Sequence, residues 1–228
     1  MVKQDRALRT RAALVLAAAT EFDLNGYDGT SLSAISKAAG ISVGALTFHF
    51  VSKVDLAEAV QEEGRRLSRI VLDETTAGPG PALETVVNVT VGLIQLCEQE
   101  VVVRSAMRLA RERPVENPWS DIWVPIVHLL LEEAQHHGQL QDGASPSDIT
   151  ALAEILTAGA EAYLRSRFGS KSAADSVAAK LRTSWQLVLS GIAAKEHGPA
   201  VLRIPAAPSS ADGPADPSQE EEDGLAVC

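Results

Sequence analysis

Along most of this chain, apolar residues return at alternating steps of four and three, the spacing that gathers side chains on one face of an α-helix. Across residues 4–25 they are Leu8, Ala12, Val15, Ala19 and Phe22, and Gly26 closes the segment. Ser31 is placed to cap a short helix over residues 32–39, with Gly40 as its left-handed stop. Ser42 caps the next, residues 43–48. Ser52 opens a longer helix to residue 73, with Asp55 three positions on as a capping box. After the loop TTAGPGPA, the stripe Leu83, Val86, Val87, Thr90, Val91, Ile94 and Cys97 predicts a helix buried on more than one side. Helices over residues 101–113 and 119–137 follow, with Pro125 tolerated in a first turn or at a kink. Two last stripes, Ile149 to Leu164 and Val177 to Ile192, read as antiparallel neighbours.

No run alternates as a strand would, so the fold class is all-α with about nine helices. Hydrophobic residues supply 46% of the 228 positions but aromatics only 4%, so the core must be built from Ala, Leu, Val and Ile. No apolar run approaches the roughly 18 residues of a membrane span, and the charged start leads straight into an amphipathic pattern. The expectation is a soluble, unprocessed, cytoplasmic chain with no membrane partner. Cys97 and Cys228 have neither metal-ligand nor disulfide-framework spacing, and Cys97 reads as a small core residue. From Gly198 the composition turns to Pro, Ala, Ser, Asp and Glu with no apolar face, the signature of a disordered tail.

Charge is uneven. Residues 1–53 carry six Lys and Arg against four Asp and Glu, whereas the remainder carries 14 against 26, within a net charge of -10. A slightly basic head on an acidic body suits local phosphate contact by the head. The two short helices joined through Ala-Gly-Ile-Ser fit a helix-turn-helix, with Leu32, Ile35, Ala39, Ile41, Ala45 and Phe48 available to pack them and residues 43–48 as the groove-reading helix. Its apolar Val43, Ala45 and Leu46 can touch a thymine methyl but offer no bidentate hydrogen bond. An ordinary helix pair inside a bundle shares the same spacing.

The run TSLSAISKAAGISVGALTFHFVSKVDL, from Thr30 to Leu56, resembles the N-terminal signature of TetR-family transcriptional repressors, and GALTFHF within it resembles the γ-butyrolactone receptors of Streptomyces-type actinomycetes. The Leu96-Cys97 pair, the Arg-Leu-Ala at Arg108 and a tryptophan near residue 119 agree with that subfamily. The resemblance implies a homodimer on a palindromic double-stranded DNA operator, released by a small hydrophobic, butyrolactone-like effector or an antibiotic, and controlling secondary metabolism. It divides the chain into a DNA-binding head (residues 1–51), a ligand-binding and dimerisation body (52–197) and the tail (198–228). Ser31, Ser42, Val43, Gly44, Ala45, Thr47, Phe48, His49 and Lys53 fall at its DNA-facing positions. Val43 stands where the family often has Lys, and Thr47 where it often has Tyr; both changes remove a backbone contact. The alternative is therefore a pseudo-receptor or ligand-sensing relative with weak or lost DNA binding.

For the effector, the resemblance points to Trp119 and Trp123, with Cys97 on the adjoining helix. Thr90 and Thr157, hydroxyls on apolar stripes, need a partner that a ligand or their own backbone could supply. Gly64 occupies a position where the subfamily leads one to expect a polar residue such as Gln. Tyr163, Leu181, Trp185 and Val188 are the expected dimer anchors, with intrachain packing as the competing role. An enzyme is the rival class. His136-His137 beside Glu132 and Glu133 reads as a solvated face, no nucleophile elbow or phosphate loop is present, and neither metal nor cofactor is expected.

Overall fold

The computed structural model describes residues 2–113, 118–166 and 176–192, with side chains from residue 6 onward. These residues form nine α-helices and one 3-10 turn: α1 Val2–Gly29, α2 Leu32–Ala38, α3 Val43–His49, α4 Lys53–Thr76, α5 Ala82–Gln99, α6 Val101–Glu112, the 3-10 turn Trp119–Ile122, α7 Val124–His136, α8 Pro146–Ser166 and α9 Val177–Ile192. The stretch expected to form a disordered tail lies outside the described residues.

Each expected N-cap is made. The hydroxyls of Ser31, Ser42 and Ser52 accept from the amides of Ala34, Ala45 and Asp55, and Asp55 returns a bond from the Ser52 amide to complete the capping box. Gly26 is a kink and not a stop: its φ of 74° breaks the helical path, and the chain regains a last turn to Gly29. Residues 119–137 do not form one helix. Pro125 lacks the amide hydrogen that an interior position donates, so α7 starts at Val124 and the 3-10 turn precedes it.

Two principal apolar clusters hold the molecule. The first, around α5, joins Leu83, Val87 and Ile94 to Trp123, Val127, Ile149, Leu181 and Trp185. The second belongs to the head, where Leu14, Phe22, Ile35, Leu46 and Phe50 pack on Leu56 and Val60 of α4, and Val102, Ala106 and Leu109 of α6 complete it. The head is thus seated on α6 as well as on α4. Between α5 and α6 the axis turns by 101°, and among the described residues no single helix is long and apolar enough to cross a membrane.

Candidate DNA-reading surface and effector chamber

The register of α3 decides which side chains reach outward. Leu46, expected on the outer face, is 0% exposed, while Phe48, expected to pack inward, is 86% exposed. Ala45 is exposed too, and Phe50 takes the inward place one turn beyond Leu46. The outward set is therefore Val43, Gly44, Ala45, Thr47 and Phe48, with His49 half-buried and its ring edge-on to Phe48 at 5.5 Å.

Ser31 and Ser42 use their oxygens as acceptors for the helix caps, which leaves each hydroxyl hydrogen available for a phosphate. Thr47 is exposed but donates to the carbonyl of Gly44 at 3.1 Å. Lys53 is committed inward. Its Nζ donates to the carbonyls of Tyr27 at 2.8 Å and Thr30 at 3.0 Å and lies 4.2 Å from the Tyr27 ring centre, so one of three N–H groups remains for a phosphate.

In the body, Trp119 and Trp123 lie at 6.0 Å between ring centres, tilted by 59°. The Trp119 indole donates to Ser68 Oγ of α4 at 3.0 Å, while the buried indole N–H of Trp123 has no hydrogen-bond partner. Gln61 Nε2 on α4, Ser105 Oγ on α6 and Thr157 Oγ1 on α8 are likewise buried and unpartnered. Gln139 Oε1 is a fifth such atom, and each unmet group of this kind costs about 1–3 kcal/mol. Thr90 is different: it donates to the carbonyls of Val86 and Val87 and accepts from Trp185 Nε1 at 2.9 Å, which satisfies it internally. Cys97 contacts Met107 Sδ at 3.2 Å and shares an apolar cluster with Trp119 and Leu164. Burial pushes its thiol up to about 12. Gly64 is buried against Ala106 of α6, which accounts for the missing glutamine.

Trp185 is 0% exposed and Leu181 nearly so, both inside the protomer, where a second chain cannot reach the indole. Val188 packs partly on the same core, and Tyr163 is exposed on α8. The outward apolar side chains of this helix pair are Ile155 and Leu187, the latter 74% exposed.

Head and body meet in a polar joint that sequence reasoning passed over. Arg104 of α6 pairs with Asp23 at 3.2 Å, Arg108 donates to the Asp23 carbonyl at 2.7 Å, and Glu112 accepts the Tyr27 amide at 2.6 Å. Burial raises the pKa of Asp23 against the opposing pull of Arg104 and Arg108. Glu112 is also raised by burial, but the Tyr27 amide and Arg108 outweigh this and hold it below its ordinary value. The one available signal was the i, i+4 spacing of charges on α6. Among the described residues no three His, Cys, Asp or Glu side chains gather into a metal-sized group, and His136 and His137 contact each other edge to face.

Residues 14–60 match the family described as bacterial regulatory proteins, tetR family. The A-factor receptor protein of Streptomyces griseus is 31% identical over 143 residues, covering 61% of this chain and 49% of that protein. The HTH-type transcriptional regulator UidR of Escherichia coli (strain K12) is 40% identical over 68 residues, 29% of this chain and 35% of that one. The chain thus spans about half or less of the curated relatives it matches. Among solved structures, a gamma-butyrolactone receptor (ArpA like protein) superposes with a TM-score of 0.72 at 29% identity, covering 86% of this chain and 94% of that one. The CprB protein of Streptomyces coelicolor in complex with its operator sequence superposes with a TM-score of 0.67 at 29% identity, with the same two coverages.

Proposed function

Because the chain is a TetR-family transcriptional regulator related to the butyrolactone receptors, we propose that it is a cytoplasmic repressor that binds a palindromic operator as a homodimer and releases it when a small molecule enters the body. The observation that carries this reading is the bond from Trp119 to Ser68. Trp119 packs on the apolar cluster of Cys97, Val103 and Met107 inside the body, and Ser68 lies on α4, whose first turn is capped beside the reading helix. A ligand that displaces the indole therefore pulls on the helix that carries the head, and tilting α4 changes the spacing of two reading helices on one duplex.

The unpartnered Gln61, Ser105, Trp123 and Thr157 groups favour an effector with carbonyl, ester or hydroxyl oxygens on a mainly apolar body, consistent with a butyrolactone-like or antibiotic ligand tied to secondary metabolism. The second copy docks on the outer face of α8 and α9, where Ile155, Tyr163 and Leu187 stand out beside Gly159, Ala160 and Ser184. Leu181 forms part of the floor of that face, and Trp185 supports it from within and does not touch the partner. On the DNA side, Ser31, Ser42 and His49 contact the backbone and Val43 stands beside it without a donor, while Ala45 and Phe48 present apolar surface to base edges.

Gel retardation of the full chain on its own upstream DNA, across a salt series and with culture extract added, tests the reading. Retardation at low salt that extract reverses is expected. Absence of a retarded species at any salt would overturn the repressor, and a complex that no extract releases would overturn the effector.

A further inference from the structure

At the joint between head and body a cleft of about 450 Å³ opens between α1, α6 and α8, and its lining divides by chemistry. Cys97 and Met107, both buried, and the half-buried Leu164 give it an apolar wall. Four guanidinium groups surround that wall, those of Arg104, Arg108, Arg111 and Arg165, against the three carboxylates of Asp23, Glu112 and Glu161. Asp23 is matched by Arg104, and Glu112 by Arg108. Glu161 is shared: its Oε1 takes both Arg111 and Arg165, so two cations from two helices converge on one carboxylate oxygen and, among the described residues, the lining carries one more cation than anion.

We propose that this cleft binds a small amphipathic monoanion, its carboxylate held between Arg111 and Arg165 and its apolar body lying on Met107 and Leu164, with Cys97 behind them. A guanidinium fork matches a carboxylate in geometry as well as in charge, and a neutral ligand of the same shape would leave the surplus charge at the mouth unpaired. The apolar wall belongs to the same cluster as Trp119, so the body of the ligand points toward the indole that is bonded to Ser68 of α4. The proposal rests on the reading of an effector-released repressor and adds to it a second, carboxylate-selective site, separate from the groups proposed for the neutral effector. Occupancy also bears directly on the head, because Arg104 and Arg108 of the same lining hold α1 through Asp23.

Titration calorimetry of the full chain with sodium octanoate and with 1-octanol, both kept below micelle formation, tests this. Octanoate is expected to bind at least tenfold more tightly than octanol, and Arg111→Gln or Arg165→Gln to remove about tenfold of octanoate affinity while sparing octanol. Glu161→Gln, which deletes the competing carboxylate, is expected to tighten octanoate, a gain that a merely structural role of this ion-pair group would not produce. Equal affinity for acid and alcohol, or octanoate binding indifferent to all three substitutions, overturns the proposal. Operator retardation without ligand is measured in parallel. An acid-selective cleft on a chain that never binds DNA overturns the repressor and leaves the cleft standing, and a chain that binds DNA without acid selectivity does the reverse.

Discussion

Gly64 of α4 and Ala106 of α6 meet so closely that a Cβ placed on Gly64 would stand 2.5 Å from that of Ala106. Neither group is the end of a flexible side chain, so a methyl there must push two helices apart. Overpacking of this kind costs about 1–3 kcal/mol, and the better helix propensity of alanine returns at most about 1 kcal/mol. Gly64→Ala is therefore expected to lower the urea midpoint and, because α4 carries the head, to change operator affinity measured by fluorescence anisotropy. An unchanged midpoint with unchanged anisotropy would show that the crossing relaxes freely and does not transmit.

Trp185 and Leu187 are two residues apart on α9 and point in opposite senses, one into the protomer and one into solvent. Trp185→Phe removes the bond to Thr90 and some packing volume, which should cost about 1–3 kcal/mol of folding stability with the oligomeric state unchanged. Leu187→Glu should leave the folded protomer near its normal stability and shift sedimentation toward the monomer. If the tryptophan variant is the one that dissociates, the dimer face is elsewhere.

The caps at Ser31, Ser42 and Ser52 were legible in the sequence because each rests on a side chain three residues from its partner. The register of α3 was not. Over a seven-residue helix and its C-cap, Ala45 with Phe48 and Leu46 with Phe50 both satisfy helical spacing, and only the neighbours contributed by α1 and α4 choose between them. Trp185 poses the same problem at larger scale, since an apolar stripe specifies a buried face without saying which helix covers it. The joint of Asp23 with Arg104 spans 81 positions and lies beyond any local pattern.

Two carboxylates of that joint should respond to pH in opposite directions. Glu112 sits below its ordinary value of 4.5 when folded, so its stabilising contribution is present above that pH and fades as pH falls through the folded value. Asp23 sits above its ordinary 3.8, so its contribution is present below that value and is lost as pH rises through the folded one. Urea midpoints taken between about pH 3 and pH 6 should show the gap between the wild type and Glu112→Gln closing toward low pH. The stability of the wild type relative to Asp23→Asn should instead improve in the same direction. Parallel curves would remove both residues from the joint.

Cys97 should be chemically silent in the native protein. With its thiol pushed up to about 12, the thiolate fraction at pH 8 is roughly one in ten thousand, and the side chain is fully buried. In a Cys228→Ser chain, Ellman's reagent should release no prompt signal until urea unfolds the protein. Native reaction at the rate of a free thiol would show that the wall of the cleft opens spontaneously.

The head can be tested by restoring a cation. Val43 is the first residue of α3 and 42% exposed, and Lys53 has two of its three donors committed to the carbonyls of Tyr27 and Thr30. A lysine at position 43 would extend past the helix end toward a phosphate, at a cost of about 0.3–1 kcal/mol for a positive charge near the helix N-terminus. Each new phosphate contact steepens the dependence of log K on log salt by about 0.9, and a symmetric dimer doubles it. Val43→Lys is thus expected to raise operator affinity at low salt and to steepen the slope by about 1.8 with the preferred sequence unaltered. An unchanged slope would mean that position 43 faces bases or solvent instead of the backbone.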